Sequence, residues 1–321
     1  MIEILKTGPV NTVQDAGRFG YRALGISTSG VMDPLGMRAA NLLAGNPEDA
    51  AVLEIQSFPL VIRFCRTGRF AVAGALAEVR LDNARRPSTW SEVAREGQVV
   101  EIARPRAGAR CYLALSGGLA VPEVLGSLST HLRNDFGGFE GREIRPGDRL
   151  KTGSAAGEWQ GTAGLLSALS ALPARLAADG ATELRITIGA DYGLFPEDRR
   201  TAFRETTWQI TPQSNRSGYR LRGEVLALPE PVSLYSYGVV PGIIQVPPSG
   251  EPIIQMADAN TAGGYPRIGG IIEADLWRLA QARIGDRLRF VPVDYDSAVN
   301  ALSETDDYLI QIRKALRLIA P

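Results

Sequence analysis

The sequence predicts a mainly β protein with a few helices. Short segments rich in Val, Ile, Leu and Phe are separated by Gly, Pro, Asn and Asp, a pattern typical of strands joined by turns. The clearest of these segments are residues 59–64, 69–73, 98–102, 111–115, 184–188, 253–256 and 287–291. Because helical patterns do not alternate with these segments, their order favours a barrel or a sandwich over an alternating α/β fold.

Three helices are expected beside the strands. Asp33 is placed to cap a helix that has Pro34 in its first turn and ends at Gly45. A second helix covers roughly residues 273–282. Residues 297–319 carry apolar side chains at near-helical spacing, so we expect a C-terminal helix that packs on the body of the protein or on a partner.

The length of 321 residues is sufficient for two domains that each bury a core. A stretch rich in Ala and Gly has few residues able to anchor a core, so we expect it to connect two halves. The predicted organisation is a first β-barrel half, a connection, a second β-barrel half and a C-terminal helix, over residues 1–150, 151–182, 183–296 and 297–321.

A faint internal repeat supports two related halves. The motif RFGYR, which begins at Arg18, is echoed by RSGYR from Arg216. Likewise, REGQV from Arg95 is echoed by RIGDR from Arg283. The two motifs occur in the same order in both halves, and two related β-barrels would explain this.

Composition limits the possible functions. With 45% hydrophobic and 22% charged residues, and no apolar run near the ~20 residues of a membrane helix, the chain is typical of soluble proteins. The start lacks the pattern of a signal peptide, so we expect a cytoplasmic protein. The formal net charge of zero gives no electrostatic footprint for nucleic acid or for an anionic membrane.

Metal and thiol chemistry are not favoured either. Cys65 and Cys111 are too few for a disulfide scaffold or a zinc cluster, and their apolar surroundings predict buried free thiols. The single histidine, His131, excludes an imidazole-rich metal site, and its polar neighbours do not favour a catalytic role. Chemistry would therefore rest on carboxylates, Arg, Tyr, hydroxyls and backbone amides.

Polar, glycine-rich stretches are the candidates for that chemistry. They cover residues 12–34, 211–223 and 257–270. In the first, Asp33 and the glycines fit turn formation and helix capping, but a helix N-terminus beside an arginine-bearing loop also attracts an anion. In the second, Arg216 could hold a carboxylate or phosphate through two parallel bonds, although a solvated turn would look similar. No phosphate loop and no strand-GxGxxG-helix unit is present.

The order of these stretches resembles a known family. The matching blocks are VQDAGRFGYRALGISTSGVMDPLGMRAANLLAGNPEDAAVLEI, SGGLAVPEVLGS, GGFEGREIRPGDRL, PQSNRSGYRLRG, GVVPGIIQVPPSGEPI, ADANTAGGYPRIG and ADLWRLAQARIGDRLRFVPV. Over roughly residues 4–293 they resemble the KipA-like family, which includes allophanate hydrolase subunit 2 and the C-type subunit of 5-oxoprolinase. The resemblance implies two cyclophilin-like β-barrel halves.

The resemblance implies one of three functions. The first is the C-type subunit of an ATP-dependent 5-oxoprolinase, which opens the lactam of 5-oxoproline to glutamate with a KipI-like partner and a further lactam-utilisation subunit. The second is one half of the carboxyltransferase of a biotin-dependent urea carboxylase. The third is a non-catalytic antagonist of a KipI-like kinase inhibitor. Because the chain has neither a Met-Lys-Met biotinylation site nor an ATP loop, we expect ATP to be bound with or by partner subunits, and biotin to be relevant only to the second function.

The resemblance also suggests site residues. Asp258 is the expected proton acceptor or donor, because family members carry an Asp at the matching place; a turn aspartate is the open alternative. The expected substrate-binding residues are Arg216, Arg267, Asn260, Thr261, Tyr219, Gln213, Arg18, Ser29 and Asn41. The family often has Lys in place of Arg267, a longer side chain in place of Asn260 and Thr in place of Ala262, which leaves the substrate less certain than the fold. No metal ligand is expected.

Overall fold

The protein is mainly β, as predicted. A computed structural model describes residues 1–154, 161–230 and 232–319. Strands take up 31% and helices 20% of the residues, which confirms the fold class. All of the predicted strand segments lie within or across observed strands. Within the described ranges, no helix is long and apolar enough to cross a membrane.

The chain forms two compact units. Unit 1 consists of residues 1–19, 29–173 and 305–321, and unit 2 of residues 20–28 and 174–304. Each unit is therefore built from more than one segment of the chain. The division into residues 1–150, 151–182, 183–296 and 297–321 stays a prediction, and part of its connection, residues 155–160, lies outside the described residues.

Unit 1 contains two six-stranded sheets. The strands are β1 (Ile2–Lys6), β2 (Thr12–Gln14), β3 (Val52–Ile55), β4 (Leu60–Phe64), β5 (Gly68–Leu76), β6 (Val79–Leu81), β7 (Ala84–Arg86), β8 (Trp90–Ala94), β9 (Val99–Ile102), β10 (Ala107–Leu115), β11 (Arg149–Leu150) and β12 (Ala163–Gly164). One sheet has the order β11-β1-β4-β9-β6-β7 and the other β12-β8-β5-β10-β3-β2. Their apolar side chains share one core, in which Ile2 and Ile62 of the first sheet join Phe70 and Leu113 of the second.

Helix α1 (Pro34–Ala44) packs on β5 and β10 in the same unit. The Asp33 side chain accepts a 2.8 Å hydrogen bond from the backbone N–H of Gly36, and Gly45 ends the helix in the left-handed conformation. Both predicted ends of the helix are confirmed. Because the Asp33 carboxylate accepts a hydrogen bond from a backbone N–H in the first turn of the helix, the observed role of Asp33 is that of the capping residue.

Unit 2 is built around a closed seven-stranded barrel. Its strands are β13 (Thr182–Ile188), β14 (Trp208–Ile210), β15 (Gly218–Arg222), β16 (Tyr237–Gly238), β17 (Ile243–Gln245), β18 (Ile253–Gln255), β19 (Ala262–Gly263), β20 (Arg267–Ile271) and β21 (Arg287–Pro292). The barrel order is β13-β20-β17-β18-β15-β14-β21, closed by the parallel pair of β13 and β21, while β16 and β19 form a separate ribbon. Phe203 and Trp208 pack against Phe290 in its core.

The remaining helices are α2 (Ala168–Ala171), α3 (Glu197–Glu205), α4 (Leu276–Gln281), α5 (Tyr295–Asn300) and α6 (Leu302–Ile319). The helix predicted over residues 273–282 is a 3₁₀ turn, Glu273–Asp275, followed by α4. The helix predicted over residues 297–319 is α5 and α6, which meet at Ala301. Arg185 ties the start of α6 to the barrel, because it pairs with Asp275 at 2.8 Å and with Glu304 at 2.7 Å.

The second element of the repeat has the same local structure in both units. Gly97 and Gly285 have φ angles of 84° and 91° in turns that lead into β9 and β21. In each turn the side chain of the residue after the glycine accepts a hydrogen bond from a backbone N–H, that of Arg95 or Arg283. The first element differs, since residues 218–220 of the second motif lie in β15 whereas residues 18–22 do not form a strand.

The cysteines and the histidine lie in unit 1. Cys65 and Cys111 are both free thiols, but only Cys111 is buried and Cys65 is half-buried. Burial raises the pKa of the Cys111 thiol to about 12, so it stays protonated and unreactive. His131 is buried and stacks on the ring of Phe136, with 4.8 Å between ring centroids.

Candidate functional site

An arginine–aspartate pair extends one ladder of the unit 2 barrel. β15 and β18 pair in antiparallel fashion with Gly218 opposite Gln255. Beyond the strand ends, the backbone N–H of Asp258 donates to the carbonyl of Arg216 at 2.9 Å. The backbone therefore places these two residues side by side, although 42 positions separate them in the sequence.

The two side chains form a bidentate ion pair. Nε of Arg216 lies 2.8 Å from Oδ2 of Asp258, and Nη2 lies 3.1 Å from Oδ1. Only 6% of the Arg216 side chain and 11% of the Asp258 side chain are exposed. Two parallel hydrogen bonds fix the orientation of the carboxylate more tightly than one would. The predicted anion-binding residue and the predicted proton-transfer residue thus form one unit.

A second arginine–aspartate pair holds Arg267. Its Nε lies 2.7 Å from Oδ2 of Asp191, and its guanidinium lies 3.9 Å from the centre of the Tyr237 ring. The hydrogen bond from Arg267 lowers the pKa of Asp191, and the same bond raises the pKa of Arg267. The Arg267 side chain is 30% exposed, and its guanidinium is fixed by a carboxylate and by an aromatic face.

A chain of side-chain amides leads from β18 to Tyr237. Nε2 of Gln255 donates to Oε1 of Gln245 at 2.9 Å, and Nε2 of Gln245 donates to the Tyr237 hydroxyl at 2.6 Å. That hydroxyl donates to the backbone carbonyl of Tyr265. Burial raises the pKa of Tyr237 despite the opposing hydrogen bond from Gln245, so the phenol is protonated at neutral pH.

Two glycines make room for this arrangement. A Cβ at Gly263 would lie 2.7 Å from Nε2 of Gln245, where only a displaced amide could remain. A Cβ at Gly189 would lie 2.3 Å from the carbonyl oxygen of Arg267, so this glycine allows the Asp191 loop to approach β20. The glycines therefore serve the packing of polar side chains and backbone around the site.

The other predicted residues of unit 2 have different environments. Tyr219 is buried in β15. The carbonyl of Thr261 accepts from the backbone N–H of Val239 at 3.0 Å, which ties the loop after Asp258 to the body of the unit. Asn260 and Gln213 are exposed. Unit 2 thus brings together Arg216 and Asp258, whereas Gln213 faces solvent from a turn.

Arg18 belongs to unit 1 and has a different environment. It is fully buried, and its Nε and Nη2 donate at 2.9 Å to the carbonyls of Val124 and Ser129. Its guanidinium also lies 4.7 Å from the centre of the Phe136 ring. These contacts join separate loops, so Arg18 has a structural role in unit 1 whatever else it contacts.

Asn41 and Ser29 are also buried in unit 1. Nδ2 of Asn41 donates to the carbonyls of Glu48 and Ala50 at 3.1 and 2.7 Å, while its Oδ1 accepts from Asn46. Both amide hydrogens of Asn41 are therefore used by the loop after α1. Ser29 has a φ of 54° and is 4% exposed. The predicted contact of both residues with substrate stays a prediction.

Sequence reasoning missed Asp191, Tyr237, Gln245 and Gln255. One signal was available, since the tripeptide IIQ occurs at residues 243–245 and again at 253–255. In an antiparallel pair with Ile244 opposite Ile254, Gln245 and Gln255 are diagonal neighbours on the same face, so their amides can meet. Asp191 gave no such signal, because its partner Arg267 is 76 positions away.

Comparison with known proteins assigns the chain to a family. The profile of the carboxyltransferase domain, subdomains A and B, matches residues 24–292. The chain belongs to this family. It is 40% identical over 312 residues to the C-type 5-oxoprolinase subunit of Escherichia coli K12, and 37% identical over 314 residues to that of Haemophilus influenzae. These matches cover 97% and 98%, respectively, of both chains, and they confirm the resemblance found in the sequence.

The fold is similar to that of a solved carboxylase. The urea carboxylase of Kluyveromyces lactis superposes with a TM-score of 0.84 at 28% identity. The match covers 97% of this chain and 29% of that protein, so this chain corresponds to less than a third of the whole carboxylase.

The polar side chains described in unit 2 are of the types that line sites for small polar molecules. Arg267 and the Gln side chains offer hydrogen-bond donors, and Asp258 offers a carboxylate fixed by Arg216. Donors held in fixed positions stabilise charge that develops on a substrate oxygen. Among the described residues, no group of three or more His, Cys, Asp or Glu side chains could hold a metal ion.

Proposed function

We propose that this chain is the C-type subunit of a cytoplasmic, ATP-dependent 5-oxoprolinase. The enzyme would open the lactam ring of 5-oxoproline to give glutamate, together with a KipI-like subunit and a further lactam-utilisation subunit. The observation that carries the proposal is the 40% identity to the C-type subunit of Escherichia coli over 97% of both chains. Identity of that extent, without large insertions or missing parts, favours the same role in the same kind of assembly.

Asp258 is the proposed proton-transfer group. Ring opening adds water across the lactam C–N bond, so the nitrogen gains a proton and the carbonyl oxygen transiently carries negative charge. A carboxylate with a fixed orientation can accept the proton of the attacking group and deliver one to the nitrogen. Arg216 acts in this proposal as a positioning residue, because both of its bonds to Asp258 are used to orient the carboxylate.

The substrate oxygen and carboxylate would be bound by the donors of the second group. Arg267 is fixed by Asp191 and Tyr237 but remains partly exposed, as a residue that binds a carboxylate must be. The amide of Gln245, which pairs with Arg267 in the ladder between β17 and β20, is a neutral donor beside it, because its Nε2 has a second hydrogen besides the one given to Tyr237. A positive and a neutral donor together suit a molecule with one carboxylate and one amide oxygen.

The two cofactors are assigned to other parts of the assembly. ATP would supply the energy for ring opening, and since the sequence has no phosphate loop, we place its binding on or with the partner subunits. Biotin matters only for the second candidate function. The described polar groups fit an amide or urea group, and no residue of this chain is assigned to hold either cofactor.

The proposal is tested with the reconstituted complex. Purified subunits are assayed for glutamate release that depends on both ATP and 5-oxoproline. We expect Asp258→Asn to lower kcat by about 10²- to 10⁴-fold, the usual contribution of a positioned acid or base. The matched control is Asp148→Asn, which breaks a similar bidentate arginine pair, Arg142–Asp148, in unit 1. Full activity of the Asp258 variant would refute the catalytic assignment.

A carboxyltransferase half is the second candidate. The family profile and the similarity to a yeast urea carboxylase favour it. It would transfer a carboxyl group from carboxybiotin on another component to a urea or amide nitrogen. Transfer from free carboxybiotin to urea, observed with this chain and its KipI-like partner but without glutamate release from 5-oxoproline, would select this candidate over the first.

A non-catalytic antagonist of a KipI-like kinase inhibitor is the third candidate. It requires only that the chain bind its partner through a surface. This candidate would be selected if the complex assembles normally but shows neither glutamate release nor carboxyl transfer. The result should then be the same for the wild-type chain and for the Asp258 variant.

A further inference from the structure

Unit 2 contains a buried cluster of charged side chains outside the candidate site. Arg185 of β13 donates to both oxygens of Asp275, from Nε at 3.0 Å and from Nη2 at 2.8 Å. It also donates to both oxygens of Glu304, at 2.7 and 3.2 Å. No residue of the proposed catalytic group belongs to this cluster, so what it binds is independent of the proposed function.

Arg278 brings a second guanidinium to the same two carboxylates. Only 7% of its side chain is exposed, and its Nε donates to Oδ1 of Asp275 at 3.3 Å. Its Nη2 lies 3.8 Å from Oε2 of Glu304, beyond hydrogen-bond distance, and this buried nitrogen has no hydrogen-bond partner among the described residues. Because Arg185 occupies both oxygens of Glu304, that carboxylate cannot turn towards Arg278 without giving up a bond.

Arg175 adds a third guanidinium. The backbone N–H of Glu183 donates to the carbonyl of Arg175 at 2.9 Å beside an antiparallel bridge, so these two residues lie opposite each other. Residues 183 and 185 share one face of β13, which makes Arg175 a diagonal neighbour of Arg185 on that face. No described carboxylate, that of Glu183 included, lies within 4.0 Å of the Arg175 guanidinium. Its buried Nε has no hydrogen-bond partner in the part of the chain that the structure describes.

Positive charge exceeds negative charge around Arg278. Its charged neighbours are the guanidinium groups of Arg185 and Arg175 and the carboxylates of Asp275 and Glu304, so three cations share two anions. Burial lowers the pKa of Arg278, and Arg185 and Arg175 act in the same direction, whereas Asp275 and Glu304 raise it. A buried charge without a counter-charge is costly, and buried donors are normally satisfied. One further anionic group would balance this cluster.

The indole of Trp277 is another donor beside Arg278. The centre of its ring lies 4.4 Å from Cζ of Arg278, and its buried Nε1 has no hydrogen-bond partner among the residues described. The side chain of Glu304 is 31% exposed and Arg175 is half-buried, so solvent reaches the edge of the cluster. A small ion can therefore approach the buried donors from this edge.

We propose that Arg278 and Arg175 bind a small oxyanion, a phosphate or a carboxylate, at this cluster. Nη2 of Arg278 and Nε of Arg175 are the donors that would hold it. A guanidinium binds the oxygens of both kinds of anion through charge-assisted hydrogen bonds. Because the donors are buried, water and salt screen this attraction less than they would at the surface.

The test is calorimetric titration of the full-length chain, in a buffer of low ionic strength without oxyanions, with inorganic phosphate and, separately, with acetate. The two titrations distinguish a phosphate from a carboxylate ligand. Arg278→Gln and Arg175→Gln each remove one charge and keep a polar side chain. The matched control is Arg222→Gln, which removes an equal charge at an exposed position of β15, outside the cluster. The unfolding temperature of each variant without ligand checks that it folds, and if the Arg278 variant does not fold, the variant at the half-buried Arg175 decides the test.

We expect at least one of the two anions to bind, and each cluster variant to weaken that binding by about tenfold or more, as expected for a charged hydrogen bond. The same anion should raise the unfolding temperature of the wild type and of the Arg222 variant more than that of the cluster variants. The proposal is overturned if neither anion binds more tightly than roughly 1 mM, or if a folded cluster variant binds as well as the control. Because the readout is binding, neither result bears on 5-oxoproline turnover.

Discussion

Arg18 of unit 1 and Arg216 of unit 2 begin the same short motif, yet they contact different kinds of group. Arg18 is fully buried and donates to backbone carbonyls. Arg216 is nearly as buried but donates to the carboxylate of Asp258. A backbone carbonyl only accepts the hydrogen bond from the arginine. A carboxylate that the arginine orients can, in addition, exchange a proton with a substrate.

The comparison shows how one residue type binds backbone in one place and orients a carboxylate in another. The partner of the guanidinium decides between the two, and that partner is distant in sequence in both cases, at 106 and 42 positions. The two arginines also differ in what their loss should leave behind. Removing Arg216 leaves a buried charge, while removing Arg18 leaves buried neutral carbonyls.

Arg216→Met should therefore have the largest effect on stability. It leaves the Asp258 carboxylate buried without this partner, and the loss of one member of a buried pair costs about 3–5 kcal/mol of unfolding free energy. Adding Asp258→Asn removes that charge, so the double variant should be more stable than the sum of the two single changes predicts. Urea unfolding followed by circular dichroism measures all three variants. Additive effects would show that the pair does not act as a unit.

Arg18→Met should have the next largest effect. The carbonyls of Val124 and Ser129 lose a donor, and each unsatisfied buried group costs roughly 1–3 kcal/mol. No second substitution can remove a backbone carbonyl, so this loss cannot be rescued in the way expected for Arg216. The same unfolding measurement checks the value. Arg22→Met is a control, since Arg22 is only half-buried; an equal loss in both variants would contradict a special role for Arg18.

Asp191→Asn should have a smaller effect that depends on pH. The hydrogen bond from Arg267 lowers the pKa of Asp191 in the folded protein. A lowered carboxyl pKa stabilises the folded state at pH values above the unfolded pKa of about 3.9, and this stability is lost as the pH falls through the folded pKa. The variant should thus be about 1 kcal/mol less stable than the wild type at neutral pH and equal to it in acid.

Thermal unfolding between neutral and acidic pH measures this difference. Asp307→Asn, at an exposed position of α6, is the control and should change little at any pH. A difference between the Asp191 variant and the wild type that grows towards acid would have the wrong sign and would contradict the ion pair.

Gly263→Ala should have the smallest effect on stability and still affect function. The new Cβ meets the far end of the Gln245 side chain, which can move, so the expected cost is below about 1 kcal/mol. The displaced amide would no longer orient Tyr237, so KM for 5-oxoproline in the complex should rise. Gly238→Ala, where a Cβ would meet nothing within 4 Å, is the control on the facing strand β16. Equal KM values would exclude a role for the amide chain.

Much of the fold could be predicted from local sequence. The strand segments are short apolar runs bounded by turn residues, and α1 has both of its end signals, Asp33 and Gly45. These features depend on neighbours within a few positions. The break between α5 and α6 at Ala301 was not predicted, because the apolar spacing continues across it.

The site was predictable only in part. Asp258, Arg216 and Arg267 were expected from their place in the family blocks, but their pairing was not, because the partners come from distant segments of the chain. Asp191 and Tyr237 were missed for the same reason. Gln213 was expected at the site because of its type; it lies exposed in a turn, and its contact with substrate stays a prediction.

By itself, the sequence determined that this is a mainly β protein of the carboxyltransferase family, because periodicity, turn residues and ordered motifs are local properties of the chain. Only the tertiary structure decided which charges meet. Arg216 orients Asp258, Arg267 pairs with Asp191, and Arg18 binds carbonyls. The physical reason is that an ion pair requires a separation of about 3 Å between the charged atoms. The folding of the sheets sets this separation, whereas the number of residues between the partners does not.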